Sequence, residues 1–409
     1  MDVTASGPDR ASPAPVPLLD LRRGLAPLRP ALLAACARVI DSGHFILGPE
    51  VVALEAAMAS LCDSRFAIGT SSGTDALLLA LMAHDIGPGD EVICPTFSFF
   101  ATAGSIWRLG ARPAFVDVCP GCYNLQAAAA KAALTARTRA IMPVHLFGQL
   151  AAMPPILALA RAHGLAVIED AAQALGAHAD GSMAGAHGDV GCFSFFPSKN
   201  LGGFGDAGLL TTQNPALAQR LRILRVHGGE PKYHHAEVGG NFRLDALQAA
   251  LLGVKLPTLG PSSQQRTAHA ARYGAAFMAS GLATERHCTC TGASAGPEAT
   301  MAPVTLPPRS RGVATFNQYI LQFASGEGMR NHVWRRLQAA QIGCEVYYPV
   351  PLHQQACFAS LEVKGRFPVA EAAARGTLAL PVFPELRHDE QDRIVDEVLR
   401  AVACGPLHA

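Results

Sequence analysis

This chain has almost no net charge. Its 409 residues carry 33 Lys and Arg against 32 Asp and Glu, a formal net charge of +1, and no Lys/Arg-rich run breaks that balance. A field this weak gives no footing for nucleic acid. Long apolar runs are missing as well: no uninterrupted stretch reaches the ~18 residues that a membrane helix needs, so no membrane span is expected. Met1 to Pro17 is rich in Ala, Pro, Ser and Asp and lacks the basic-then-apolar order of a secretory signal. It reads as a disordered lead-in to a cytoplasmic protein. The 11 cysteines are odd in number and scattered, which is no disulfide framework. Cys119-Pro120-Gly121-Cys122 and Cys288-Thr289-Cys290 offer four thiols of the kind zinc takes. Cys119 falls at a strand end, however, and Cys290 in a surface insertion, and neither pair is flanked as in a zinc module. They read as free thiols, with no metal.

Half of the chain is hydrophobic (50%) and only 16% is charged, enough apolar material for a large core divided between two domains. From Phe66 to Leu210, short apolar runs such as Glu91-Val92-Ile93-Cys94, Pro113-Ala114-Phe115-Val116, Ala140-Ile141-Met142-Pro143 and Ala166-Val167-Ile168 alternate with Ala- and Leu-rich helical stretches. This alternation predicts an α/β fold, a mostly parallel sheet covered by helices on both faces. The large domain is expected over residues 18–259, with a helical segment at its start, and a smaller α+β domain over residues 260–409. Arg243 to Leu259 reads as a long helix whose far end Pro257 disfavours. In the small domain a strand is expected near Asn317–Leu321, a loop over Cys288–Ala302, and a final helix over Asp389–Val402.

The chemistry begins at Ser194-Phe195-Phe196-Pro197-Ser198-Lys199-Asn200, followed by Leu201-Gly202-Gly203-Phe204-Gly205-Asp206. A lone lysine between an apolar strand and a glycine turn suggests a depressed pKa and an amine nucleophile, as a Schiff base requires. About thirty residues upstream, Leu165 to Ile168 form a buried strand that ends in Glu169-Asp170-Ala171-Ala172-Gln173. Asp170 suits an acid aimed into a pocket, where it would pair with the ring nitrogen of pyridoxal phosphate (PLP); its plainer role is an N-cap for a helix starting near Ala171. Gly69-Thr70-Ser71-Ser72-Gly73-Thr74-Asp75 joins a strand to a helix and leaves backbone N–H groups free for an anion. Lacking a Walker lysine and dinucleotide spacing, it reads as a cup for a monophosphate.

In order and residue type these elements resemble fold type I PLP enzymes, specifically the DegT-type sugar aminotransferases, from about Pro17 to Pro384. Further carriers are Phe45–Glu50, Gly87–Ile93, Val144-His145-Leu146-Phe147-Gly148-Gln149 and Asn241-Phe242-Arg243-Leu244-Asp245. The resemblance implies that Lys199 holds PLP and shuttles protons, that Asp170 pairs with the pyridine nitrogen, and that Gln173 lies beside the 3-hydroxyl, one helical turn on. Ser72, Gly73, Thr74 and Ser194 would hold the phosphate, and Phe97 would stack on the ring, although core packing is the plainer role of Phe97 alone. It also implies a homodimer with shared active sites, in which Gly239–Arg243 reaches into the neighbouring subunit, Asn241 toward cofactor and Arg243 toward substrate.

Lysine at position 199, where related sugar dehydratases carry histidine, favours transamination. The activity implied is transfer of an amino group from L-glutamate to a nucleotide-linked keto sugar, with a lean to a 3-keto hexose or hexuronate in amino-sugar biosynthesis. A 4-keto sugar or cyclitol aminotransferase and a non-catalytic regulatory homologue are the alternatives. His353, near the expected mouth of the site, reads as a hydrogen-bonded structural group, and His234 and His235 as loop residues.

Overall fold

The computed structural model describes residues 14–290, 302–363 and 365–405. Residues 291–301, most of the expected Cys288–Ala302 loop, lie outside this set, as do residues 1–13 of the expected lead-in.

The large sheet is formed by β1 (Phe66–Thr70), β2 (Glu91–Pro95), β3 (Arg112–Val116), β4 (Thr138–Ile141), β5 (Ala166–Asp170), β8 (Val190–Ser194) and β9 (Gly208–Thr212). Between β5 and β8 lies a small hairpin of β6 (His178–Ala179) and β7 (Ser182–Met183). The seven strands are ordered β1-β9-β8-β5-β4-β2-β3. β9 runs antiparallel to both neighbours and every other pairing is parallel, as expected of a mostly parallel sheet. Strands such as Val92-Ile93-Cys94 are apolar throughout because both faces are covered.

One covering element is the Gly73–Ala83 helix, buried on nearly every side from Ala76 to Leu81. It packs against β8, β9 and β5 and so ties the phosphate-cup sequence to the middle of the sheet. Because six strands run the same way, the ends of β1, β2, β5 and β8 open on one edge, where open α/β sheets bind ligands.

The second sheet has the order β10-β11-β12-β13, from β10 (Ala283–Glu285), β11 (Val304–Leu306), β12 (Tyr319–Phe323) and β13 (Thr377–Leu380). The strand expected near Asn317 thus starts two residues later, and the final helix runs His388–Cys404.

Three expectations are corrected. Val16 is not part of a disordered lead-in: it is 2% exposed, and its backbone bonds Gln341 and Gly343 at 2.9 and 2.8 Å. The helix expected from Arg243 begins only at Ala246, because Arg243 still pairs with Thr70 as an extension of β1. It then breaks into a 3-10 turn at Leu256–Thr258, where Pro257 lacks an N–H, before the Leu259–Ala279 helix. No helix follows Asp170. Ala171–Gly176 form consecutive turns, Ala174 N–H to Ala171 O at 3.0 Å and Ala177 N–H to Ala174 O at 2.9 Å, with Gly176 at φ +84°.

The division between the domains is not a clean cut at one residue. Leu352, Phe358, Leu361 and Phe367 return from the C-terminal half to pack with Val92, Phe115 and Ile168 of the large sheet.

Candidate active site

Lys199 sits in the turn directly after β8, its N–H bonded to Phe196 O at 2.8 Å. The residue is half-buried, but its amine is enclosed by protein. Desolvation pushes the amine down to about 8 from an ordinary 10.5, against the pull of the Asp170 carboxylate. Asp170, at the end of β5, is 5% exposed. Burial raises its pKa, while the Thr102 hydroxyl (donating to Oδ2 at 2.8 Å), the Ala172 N–H and Lys199 all favour the charged form. Lys199 and Asp170 therefore feel each other's charge across the strand ends of adjacent β5 and β8.

The turn after β1 carries the residues expected to cup a phosphate. Ser72 caps the Gly73–Ala83 helix by accepting Asp75 N–H at 3.0 Å, and the Ser71 and Ser72 hydroxyls donate to Asp75 Oδ2 at 2.6 and 3.0 Å. A Cβ on Gly73 would lie 2.6 Å from the Ser194 Cβ, so this position must be glycine for the helix N-terminus to approach the end of β8. That approach brings Gly73 against Ser194, the last residue of β8, in the segment that leads on to Lys199. Behind the cup, Arg225 is paired with Glu55 at 2.6 Å and donates to Gly69 O at 3.0 Å, while Glu55 accepts Gly69 N–H at 2.8 Å.

Gln173 reaches this edge without a helix. Its Oε1 accepts Phe147 N–H at 2.7 Å and its Nε2 donates to the Tyr348 hydroxyl at 2.8 Å. Phe97 has no exposed surface and packs edge-on against Tyr123 and Tyr348, with ring centroids 5.4 and 6.0 Å apart, a packing geometry rather than a bare stacking face. Asn241 is exposed, and Arg243 lies beside Thr70 with its Nε buried and unpartnered among the described residues. His353 bonds Thr96 Oγ1 at 2.8 Å and faces Glu371 at 3.5 Å.

Several supporting residues had no signal of their own in the sequence. Thr102 and Tyr348 touch Asp170 and Gln173 only through the fold. Glu169 is fully buried: burial pushes its pKa up, but His145 and the N–H groups of Gly185, His187 and Gly188 hold it below the ordinary value. His145 Nδ1 accepts Ala151 N–H at 3.2 Å, so its Nε2 carries the proton donated to Glu169 at 2.8 Å. Asp75 lay inside a recognised motif, but its role in aiming two hydroxyls appears only in three dimensions.

These residues fit PLP. A buried carboxylate with a raised pKa needs a cationic partner, which a protonated ring nitrogen supplies, and a helix N-terminus packed against the end of the strand that leads to Lys199 matches a phosphate and an aldehyde on one small molecule.

The profile of the DegT/DnrJ/EryC1/StrS aminotransferase family matches residues 28–399. A UDP-N-acetyl-3-dehydro-α-D-glucosamine 3-aminotransferase from Acidithiobacillus ferrooxidans is 43% identical over 95% of this chain and 98% of its own. A pleiotropic regulatory protein from Geobacillus stearothermophilus is also 43% identical, over 94% and 97%. Among solved structures, DesV of S. venezuelae superposes with a TM-score of 0.85 at 38% identity, covering 95% of this chain and 98% of that one. The chain belongs to the DegT/DnrJ/EryC1/StrS aminotransferase family and is a PLP-dependent transaminase of fold type I.

Proposed function

We propose that this enzyme moves an amino group from L-glutamate to the 3-keto carbon of a nucleotide-linked hexose or hexuronate, and that it works as a homodimer. The observation that carries this reading is the near full-length likeness to a relative named for a UDP-linked 3-keto sugar, joined to a lysine enclosed at the carboxyl edge of the sheet. Bound PLP supplies an electron sink for the carbon that gains or loses the amine.

The chain's own residues do the rest. With its pKa near 8, Lys199 Nζ is partly unprotonated at neutral pH and can take a proton from the substrate carbon and return it. Asp170 would hold the cofactor ring by its nitrogen, and the Thr102 hydroxyl favours the charged form of that carboxylate. Ser72, Gly73, Thr74 and Ser194 would hold its phosphate. A cavity beside Ser198 is lined by Arg266, Asn317, Gln318 and Tyr347. Arg266 Nε, Asn317 Oδ1 and Gln318 Oε1 there have no hydrogen-bond partner among the described residues, and the rest of the lining is apolar, with Leu18, Leu19, Leu380, Val382 and Phe383.

Support for the dimer comes from the surface around this edge. Phe196 (52% exposed) and Phe204 (48%) flank Lys199, and Phe45 and Ile46 are bare where they pair with the segment after Arg243. Large apolar side chains in this setting call for a cover, and a second copy would place the exposed Asn241 at its neighbour's phosphate and Arg243 near a sugar carboxylate.

The name of the G. stearothermophilus relative favours a second reading, regulation without turnover. Incubating the purified enzyme with L-glutamate and a panel of UDP-, dTDP- and GDP-linked 3-keto and 4-keto sugars, and measuring 2-oxoglutarate, tests the proposal. Fastest turnover with a 3-keto sugar is expected. Preference for a 4-keto sugar would move the site of amination, and absence of turnover in cofactor-loaded dimer would favour regulation.

A further inference from the structure

We propose that Cys119, Cys122, Cys288 and Cys290 bind one zinc ion, which staples the loop after β3 to the chain leaving β10. The sequence reading as free thiols rested on flanking pattern, and the fold overrides it. The four sulfurs lie within 4.8 Å of one another. Cys119 and Cys288 stand 4.0 Å apart, Cys122 and Cys288 3.5 Å, and Cys122 and Cys290 3.4 Å.

These spacings select one ion. Sulfurs bound to zinc at about 2.3 Å occupy the corners of a tetrahedron with edges of about 3.8 Å. A disulfide draws its sulfurs to about 2.05 Å and would divide the four into pairs, whereas Cys122 is equally close to Cys288 and Cys290. A multi-iron cluster spreads its thiolates over separate metal atoms and needs a wider cage. Four soft thiolates in a closed tetrahedral set are the structural zinc arrangement, with no position left for water or substrate.

The surroundings are built for it. Cys119 and Cys122 are buried at the ends of a tight turn, held by Tyr123 N–H to Cys119 O and Cys119 N–H to Asn124 O, both 2.9 Å. A Cβ on Gly121 would fall 2.1 Å from His287 O, so only glycine lets the turn seat against the opposite strand. Arg286, two residues before Cys288, is 8% exposed, with Nη1 unpartnered among the described residues and its guanidinium 4.3 Å from the Tyr123 ring centroid. A zinc ion with four thiolates carries a net negative charge, which this buried cation complements.

The site also braces the pocket. Tyr123, next to Cys122, packs edge-on against Phe97 and donates to Gln322 Oε1 at 2.6 Å. Zinc at Cys122 would hold the aromatic wall behind the cofactor edge without taking part in the reaction.

The test is elemental analysis of the purified, desalted full-length enzyme, expected to give one zinc per chain. Cys122→Ser/Cys288→Ser should lose the zinc, while Cys357→Ser, at an exposed cysteine, should keep it. If the double variant fails to fold, the wild-type enzyme still decides. After chelation, titration with cobalt should give the absorption of tetrahedral tetrathiolate cobalt and protect four thiols from a thiol reagent. A chain free of metal with four reactive thiols, a disulfide among these cysteines in non-reducing mass spectrometry, or iron in place of zinc would each overturn the proposal.

Discussion

Around Lys199, polar groups come from strand ends that each carry a contiguous motif, and the neighbouring Asn200 Oδ1 has no hydrogen-bond partner among the described residues. At the thiol cluster, Cys122 and Cys290 stand 168 residues apart in sequence, and every sulfur faces another. The first site holds a desolvated amine and a buried carboxylate in readiness for a ligand that binds and turns over; the second closes on itself. A site built for turnover keeps groups whose preferred partner is the substrate or cofactor, and it lowers the stability of the empty protein to do so. A structural site satisfies its groups permanently, so it leaves little trace in local sequence beyond residue type.

Breaking the catalytic side should have the largest effect. Lys199→Ala is expected to reduce 2-oxoglutarate formation by at least about 10³-fold, because both proton transfer and cofactor attachment are lost, while circular dichroism and zinc content stay unchanged. Measurable turnover would remove Lys199 from its assigned role.

The same lysine supplies the sharpest contrast in stability. With a folded pKa near 8 against an ordinary 10.5, the folded state binds fewer protons between those values, so wild-type stability rises with pH across that window. Below it, carrying the buried charge costs up to roughly 3 kcal/mol. Cofactor-free Lys199→Met should therefore melt above cofactor-free wild type at pH 7, and the gap should shrink as pH rises from 8 toward 10.5. An unchanged gap would mean that the amine is well solvated.

Gly73→Ala should come next. The new Cβ meets Ser194 at 2.6 Å, and overpacking of this kind costs about 1–3 kcal/mol. The loss should appear mainly as weaker PLP binding in a fluorescence titration; an unchanged affinity would place the phosphate elsewhere. Thr102→Val is the mildest change. Removing one hydrogen bond from Asp170 should cost about 1 kcal/mol, roughly fivefold in cofactor affinity, and raise its pKa further. Because a carboxylate ionises as pH rises, the deficit should narrow at higher pH, which the same titration read across pH can check.

Much of the catalytic edge was legible because each part is local. Ser72 and Gly73 sit where a strand turns into a helix, Asp170 ends an apolar run, and Lys199 is isolated between a strand and a glycine turn. The partners Thr102, Tyr348, His145 and Asp75 were not legible in these roles, because their bonds depend on which strand ends become neighbours. The helix assumed after Asp170 failed because small residues with good helical propensity are overridden when each turn packs against other elements and Gly176 takes a left-handed conformation. Val16 looked disordered by composition and was ordered by its pairing with Ile342, a contact that composition does not record.

The amino-acid sequence alone determined the α/β class and the parallel run of strands, and it singled out Lys199, Asp170 and the Ser72–Thr74 turn, since periodicity and strand-to-helix turns are properties of neighbouring residues. Only the tertiary structure decided that Gly73 must meet Ser194, that Gln173 is held by Phe147 and Tyr348, and that four scattered cysteines share one point. Those are distances between segments far apart in the chain, which packing sets and local propensity does not encode.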